Sequence, residues 1–172
     1  MTTLDPRDPN RAQIDYWNEQ SGPKWVEQQG QLDRLLATLG AVVMHRLALR
    51  PGQRVLDVGC GCGHTTLDLA GRVAPTGSVL GVDVSGPMLT RARERARDLP
   101  NVTFLQGDAQ THRFEPASVD AIFSRFGVMF FAEPDMAFRN FQRALKPGGR
   151  LVFVCWRTPR EPECGHSLAR QS

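Results

Sequence analysis

The sequence predicts an α/β fold in which a doubly wound, mainly parallel sheet carries helices on both faces. Two observations support this fold class. Short apolar segments alternate with amphipathic helical segments between residues 51 and 157, and this alternation is typical of a parallel sheet covered by helices. A glycine-rich turn directly follows the first apolar segment, at the sheet edge where doubly wound folds bind their ligands.

Residues 1–50 are predicted to be helical and to precede the sheet. A short aromatic-bearing segment surrounds Trp17, and apolar residues spaced by three and four positions extend over residues 25–47. This spacing predicts a long amphipathic helix. Gly30 and Gly40 weaken that helix, and we expect them to divide it in two.

Five strands and three helices are predicted in the core. The strands cover residues 55–58, 79–83, 102–105, 119–123 and 150–156, and the helices cover residues 65–73, 86–98 and 134–145. Ser85 can cap the second helix, and residues 146–149 (KPGG) are a strong stop signal after the third. Right-handed crossovers place the strands in a doubly wound order. The tail at 158–172 has no strand pattern and is predicted to be irregular.

Composition excludes several classes of protein. The 172 residues suffice for one domain with a sizeable core. Hydrophobic residues make up 41% and charged residues 23%, which argues against a disordered chain. The net charge of +3 is too small to indicate a nucleic-acid partner. No apolar run is long enough to span a membrane and the N-terminus does not resemble a signal peptide, so we expect a cytoplasmic protein.

The four cysteines do not indicate a metal. Cys60 and Cys62 share a glycine-rich run, and Cys155 and Cys164 stand apart from them. Because neither a second cysteine pair nor a histidine cluster completes a zinc pattern, no metal site is predicted.

The loop after the first strand, residues 57–63, reads Asp-x-Gly-x-Gly-x-Gly. A tight turn from strand to helix needs residues without a Cβ atom, and bare backbone also lets a ligand approach closely. The dinucleotide pattern G-x-G-x-x-G would require glycine where His64 stands, which disfavours a nicotinamide oxidoreductase. Asp83 ends the second strand and can accept hydrogen bonds from both hydroxyls of a ribose.

With these residues the sequence resembles the class I S-adenosylmethionine-dependent methyltransferases of small-molecule type, and is similar to those of ubiquinone and menaquinone biosynthesis. The resemblance covers residues 50–157. Five motifs carry it in order: VLDVGCGCG at 55–63, Asp83, GDA at 107–109, FSRF at 123–126 and LKPGGRL at 145–151. It implies a Rossmann-like core, S-adenosyl-L-methionine as cofactor, and transfer of a methyl group to a small-molecule acceptor.

The resemblance also implies a set of cofactor-binding residues. These are Asp57, Gly59, Cys60, Gly61, Gly63, Asp83, Val84, Met88, Asp108, Ala109, Ser124, Arg125 and Trp17. Asp57 would offset the cationic end of the cofactor, and Asp83 would hold the ribose. Val84 and Met88 would pack on the adenine, although Met88 also fits an ordinary core position. Asp108 would bind the adenine amino group.

The remaining members of the set belong to the two ends of the cofactor. The N–H of Ala109 would reach an adenine ring nitrogen, while Ser124 and Arg125 would line the methionine end. Residues 1–50 resemble a helical lid in which Trp17 reaches the cofactor, or alternatively serves as a packing anchor. The apolar run at 126–131 either shapes an acceptor pocket or packs as helix. His64 could touch the cofactor or serve a structural role.

The chain departs from the family in its last residues. Family members continue past the fifth strand with a helix and an antiparallel strand pair, whereas this chain ends sixteen residues after Trp156. We therefore expect a C-terminally truncated sequence whose fifth strand is a sheet edge, and hence poor solubility or a homodimer. No catalytic acid or base is identified. A catalytically impaired remnant that binds S-adenosylmethionine is the alternative to an active methyltransferase.

Overall fold

The computed structural model of the chain describes Leu4 and residues 7–156. Its helices are α1 (Arg11–Glu19), α2 (Ser21–Glu27), α3 (Gln29–His45), α4 (His64–Val73), α5 (Gly86–Arg95) and α6 (Pro134–Ala144), with a 3-10 turn at Val128–Phe130. Its strands are β1 (Arg54–Val58), β2 (Ser78–Asp83), β3 (Val102–Gln106), β4 (Val119–Arg125) and β5 (Leu145–Val154). The predicted irregular tail at 158–172 lies outside the described residues, as does Arg157, the last residue assigned to the core.

The strands form one parallel sheet in the order β3-β2-β1-β4-β5. The order changes direction at β1, which lies between β2 and β4, so a crevice opens at the carboxyl ends of these three strands. The predicted fold class is confirmed. Among the described residues there is no antiparallel strand pair, and no helix there has the length and apolarity needed to cross a membrane.

Apolar clusters cover both faces of the sheet. Helices α3 and α4 pack over Val55 of β1 on one face, and α6 packs over Leu56 and Val58 on the other. Because both faces are covered, β1 is buried from its second residue to its last. Successive side chains of a strand point to opposite faces, so Asp57 shares the face of Val55 and points toward α4.

Helix α3 continues through Gly40, contrary to the expectation that glycine divides it. The break in the helical region falls at Gln28, between α2 and α3. A Cβ atom on Gly40 would lie 3.3 Å from Arg125 Cδ, so glycine lets the helix pass close to the end of β4. Burial of Leu36 and Val43 on the same helix outweighs the weak helix propensity of one glycine.

The predicted stop signal at 146–149 is a bulge inside β5 and not a loop before it. Val119 of β4 pairs with Leu145, and Ala121 pairs with Arg150. The four intervening residues of β5 therefore lie opposite the single residue Asp120. An insertion of this kind bends the strand locally while pairing resumes on both sides.

The loops after β1 and β4 cross at two glycines. A Cβ atom on Gly59 would lie 2.6 Å from Gly127 Cα, and one on Gly127 would lie 2.7 Å from the carbonyl oxygen of Val58. Gly59 also has a φ of +68°, which residues with a Cβ atom rarely adopt. This crossing sets the spacing of the strand ends that border the crevice.

Gly59→Ala is expected to lower the free energy of unfolding by about 2 to 4 kcal/mol, because left-handed strain adds to overlap with backbone that cannot rotate away. Urea unfolding followed by circular dichroism measures this change. Gly71→Ala is the matched control, since apart from the neighbouring backbone of α4 no described residue lies within 4 Å of its Cβ position. There alanine is expected to stabilise by about 0.5 to 1 kcal/mol. A Gly59→Ala protein as stable as the wild type would contradict the close approach of the two loops at Gly59 and Gly127.

Candidate functional site

A cavity of about 110 Å³ opens at the carboxyl ends of β1, β2 and β4 and is covered by the N-terminal helices. Ten of the thirteen residues predicted for the site line it: Gly59, Cys60, Gly61, Asp83, Val84, Met88, Asp108, Ala109, Arg125 and Trp17. The other three, Asp57, Gly63 and Ser124, are not part of the lining.

Asp57 lies beneath the cavity, inside the protein. Its Oδ2 accepts hydrogen bonds from Thr65 Oγ1 at 2.7 Å and Thr66 Oγ1 at 2.6 Å, whereas its Oδ1 is buried and has no hydrogen-bond partner among the described residues. Burial raises the pKa of Asp57 to about 6, and the two threonine hydroxyls oppose this rise. Through these two hydrogen bonds the carboxyl group holds the first turn of α4 in place beneath the glycine loop.

Asp83, the last residue of β2, joins two loops. Its Oδ2 accepts a hydrogen bond from Gly61 N–H at 2.8 Å, and its Oδ1 accepts one from Ser85 N–H at 2.9 Å. Burial raises the pKa of Asp83, and these backbone donors lower it. Each carboxylate oxygen has two lone pairs, so both oxygens can accept a further hydrogen bond from a group in the cavity.

Asp108 is the second carboxylate that follows a strand end. Its side chain is buried, and Oδ1 accepts a hydrogen bond from Gln110 N–H at 2.7 Å. Burial raises the pKa of Asp108 to about 6 and the negative charge of Asp8 adds to this rise, whereas the Gln110 N–H and a hydrogen bond from the Asn10 side chain oppose it. Oδ2 is buried with no hydrogen-bond partner among Leu4 and residues 7–156. Leaving a buried acceptor unpaired is costly, so an N–H or O–H donor in the cavity would stabilise this oxygen.

The glycines of the loop also serve contacts within the protein. A Cβ atom on Gly61 would lie 2.8 Å from Met88 Cε, and one on Gly63 would lie 3.1 Å from Ala92 Cβ. Gly63 is the N-cap of α4 and has a φ of +81°. Close packing of the loop and α4 against α5 is therefore a reason for these glycines that sequence reasoning, which emphasised ligand approach, did not supply.

Ser124 connects β4 to β1 below the cavity. Its side chain is fully buried, and its Oγ donates a hydrogen bond to the carbonyl oxygen of Val58 at 2.7 Å. A Cβ atom on Gly127 would lie 3.0 Å from this Oγ. Ser124 thus supports the crossing of the two loops.

The two cysteines of the loop are free thiols that line the cavity. Burial raises the pKa of Cys60 well above its usual range and that of Cys62 to about 11. Both thiols are therefore protonated at neutral pH, and neither is an activated nucleophile. In the part of the chain that the structure describes, no group of three or more His, Cys, Asp and Glu residues could hold a metal ion.

A charged cluster borders the cavity near the end of β4. Asp33 of α3 lies 3.0 Å from Arg95 Nη2 and 3.3 Å from His64 Nδ1. Arg125 Nη1 lies 3.4 Å from the same imidazole nitrogen. Burial lowers the pKa of Arg125, while attraction to Asp57 raises it. The cluster ties α3 to α4, α5 and β4, and it places His64 in the lining.

Aromatic side chains form one wall of the cavity. Trp17 meets Trp25 and Phe130 edge to face, with ring centroids 5.8 and 5.2 Å apart. All three line the cavity, as do Phe126 and Phe131 from the apolar run at 126–131. Trp17 is therefore both a packing anchor and part of the wall.

Helix α1 is docked on the loop between β2 and α5. Asn18 Nδ2 donates to the carbonyl oxygen of Val84 at 3.0 Å, and Asn18 Oδ1 accepts from Gly86 N–H at 2.9 Å. Ser85 Oγ donates to the carbonyl oxygen of Trp17 at 2.8 Å. Three hydrogen bonds thus hold Trp17 over the cavity.

Sequence reasoning missed the polar residues that the N-terminal helices contribute to the lining, namely Asn10, Gln13 and Asp33. A polar position on an amphipathic helix is ordinarily taken to face solvent. The available signal was spacing, because Asn10 and Gln13 stand seven and four positions before Trp17 and so share its helix face.

Residues 55–149 match the methyltransferase domain family. This match covers more than half of the chain, so the chain belongs to that family. It includes the glycine loop, Asp83 and Asp108.

Individual relatives show the same similarity. A demethylmenaquinone methyltransferase of Staphylococcus aureus is 37% identical over 120 residues, which cover 70% of this chain and 50% of that protein. The chain therefore spans about half the length of this curated relative.

Solved structures are similar as well. A SAM-dependent methyltransferase from Aquifex aeolicus has a TM-score of 0.64 and 27% identity, over 73% of this chain and 68% of that one. Phosphoethanolamine N-methyltransferase 2 of Haemonchus contortus, in complex with phosphomonomethylethanolamine and S-adenosylhomocysteine, has a TM-score of 0.63 and 34% identity, over 67% of this chain and 27% of that one.

The buried carboxyl group of Asp57 makes stability depend on pH. Folding raises its pKa to about 6 from about 3.9 in an unfolded chain. The cost of burying the charge is therefore present above the folded value and disappears as the pH falls toward the unfolded value. Asp57→Asn removes this cost. We expect the free energy of unfolding of the variant, minus that of the wild type, to fall by about 2 kcal/mol from about pH 8 to about pH 4.5.

Urea unfolding at a series of pH values measures this difference. Asp98→Asn is the control, because the Asp98 side chain is 87% exposed and its substitution is expected to change stability by less than about 0.5 kcal/mol at every pH. If the free energy of unfolding of Asp57→Asn, minus that of the wild type, were also independent of pH, Asp57 would not be a buried carboxyl group with a raised pKa.

Proposed function

We propose that this chain binds S-adenosyl-L-methionine and transfers its methyl group to a small-molecule acceptor. The observation that carries the proposal is the pair of carboxylates Asp83 and Asp108, which line one cavity together with the glycine loop. A ribose offers two O–H donors and an adenine offers an amino group, and the cavity supplies carboxylate acceptors for both. Asp108 Oδ2 fits this role well because it is buried without a donor.

The residues would hold the cofactor as follows. Asp83 keeps a lone pair on each oxygen for the ribose hydroxyls, and Val84 and Met88 would pack on the adenine faces. Asp108 would accept from the adenine amino group, next to the backbone of Ala109.

Side chains of both charges lie near the end of the cavity proposed for the methionine portion of the cofactor. Asp57 would act through its field from beneath the Gly59 turn, favouring the cationic sulfonium and ammonium groups. Arg125 in the lining would face the carboxylate of the methionine portion.

The chemistry proposed for the site depends on alignment. When bound, the cofactor supplies a methyl group already activated on its sulfonium, so the protein must orient the acceptor in line with it and exclude water. The wall that contains Trp17, Trp25 and Phe130 is suited to cover an apolar acceptor. Under this proposal residues 1–50 act as the helical lid of a core formed by residues 51–157.

A cytoplasmic location is part of the same proposal. Cys60 and Cys62 are close in sequence, and both are free. Unpaired thiols are typical of a reducing compartment, which supports this location.

Calorimetric titration tests the binding step. We expect S-adenosylmethionine and S-adenosylhomocysteine to bind and NAD to give no response. Asp83→Asn should weaken binding by about 10-fold or more, because the amide replaces one carboxylate acceptor with a donor. Asp120→Asn is the matched control. The Asp120 carboxylate also accepts a hydrogen bond from a backbone N–H, that of Arg54 at 2.8 Å, but Asp120 lies at the opposite end of the sheet from the cavity. Tight NAD binding without response to the other two ligands would overturn the proposal.

Turnover is tested separately with labelled S-adenosylmethionine. Incorporation of the labelled methyl group into a small-molecule extract supports the transferase. Binding without incorporation would instead favour the alternative, a catalytically impaired protein that binds the cofactor.

We also propose that two copies of the chain associate through β5. In the described sheet β5 pairs with β4 alone, so its other edge presents unpaired backbone groups. Lys146 and Pro147 disfavour pairing near the beginning of the strand, which leaves residues 151–154 as the expected contact. Sedimentation velocity at tens of micromolar should show a dimer or larger species. A single monomeric species would contradict this association.

A further inference from the structure

Helix α1 presents one polar stripe to the cavity. Asn10, Gln13 and Trp17 all line it, and their spacing of three and four positions places them on one helix face. Trp17 belongs to the aromatic wall and the Asn10 side chain hydrogen-bonds Asp108, which leaves Gln13 as the polar residue whose role is unassigned.

The side chain of Gln13 has an unpaired acceptor. Its Oε1 is buried with no hydrogen-bond partner within the part of the chain that the structure describes. Most buried polar atoms in folded proteins are hydrogen-bonded, and leaving a buried acceptor unpaired costs about 1 to 3 kcal/mol. Because Asn18 and Ser85 hold α1 on the loop after β2, the helix cannot turn Gln13 toward solvent without breaking these bonds.

The residues just before α1 are tied to the loop that carries Asp108. Thr111 Oγ1 donates a hydrogen bond to Asp8 Oδ2 at 2.8 Å, and Asp8 Oδ1 accepts one from Asn10 N–H at 2.9 Å. Gln13 N–H in turn donates to the carbonyl oxygen of Asn10 at 3.0 Å. These contacts bring the start of α1, and Gln13 with it, toward the loop of Asp108, whose Oδ2 has no hydrogen-bond partner among the described residues.

We propose that Gln13 Oε1 and Asp108 Oδ2 together accept the two N–H bonds of the adenine amino group, which makes Gln13 a residue that selects adenine. The inference rests on the proposed function and adds a specificity residue to it. An exocyclic amino group has two N–H donors, and the cavity offers one unpaired buried oxygen for each. A hypoxanthine base carries a carbonyl oxygen at this position, so both protein oxygens would face a lone pair.

The test compares two ligands on each of three proteins. S-adenosylhomocysteine and S-inosylhomocysteine, which differ at this position of the base, are titrated into the wild type, Gln13→Met and Gln20→Met. Methionine keeps the length of glutamine without its acceptor, and Gln20 is an exposed residue just after α1, so it controls for the change of side chain.

We expect the wild type and Gln20→Met to prefer the adenosyl ligand. Gln13→Met should lose about 5- to 10-fold of its affinity for that ligand, while its affinity for the inosyl ligand should stay the same or rise because the repulsion between the Gln13 oxygen and the base carbonyl is gone; the preference therefore narrows by at least that factor. Because both ligands are measured on the same variant, a general loss of folded protein would lower both affinities and leave their ratio unchanged.

Two results would overturn the inference. An unchanged preference in Gln13→Met, whether or not both affinities fall, would mean that Gln13 does not contact the amino group. Failure of the folded wild type to bind S-adenosylhomocysteine would overturn the proposed function, and the role of Gln13 with it.

Discussion

The carboxylate of Asp83 connects the parts of the protein that meet at the cavity. It accepts hydrogen bonds from Gly61 on the loop after β1 and from Ser85 on the loop after β2. Ser85 then donates to the backbone of Trp17, so the same chain of contacts reaches the N-terminal helices. One half-buried acid at a strand end thus holds two sheet loops and the N-terminal helices in place.

Much of the sheet could be predicted from the sequence, because strand periodicity and right-handed crossovers leave few topologies. The ends of parallel strands meet at one edge, so Asp83 and Asp108 could be placed in one crevice. Asp57 was harder to place. Its position in the alternation of β1 points it toward α4, and that orientation depends on which face each helix covers.

Helix α1 shows where sequence reasoning reached its limit. Periodicity identifies the face of a helix that is apolar, but it does not distinguish a polar residue in solvent from one in a cavity. Gln13 was therefore overlooked although Trp17, one turn later, was not. The continuity of α3 through Gly40 has a similar cause, because packing beside Arg125 decides the outcome and local propensity does not.

The docking of α1 has a kinetic consequence. Asn18 uses its amide in both directions, donating to Val84 and accepting from Gly86, so lifting the helix breaks several hydrogen bonds at once. Local openings of this kind are rarer than the fluctuations of a free loop. If α1 acts as the proposed lid, a molecule that must pass it to leave the cavity is held until the helix opens, so these contacts are expected to lengthen residence time separately from the strength of binding.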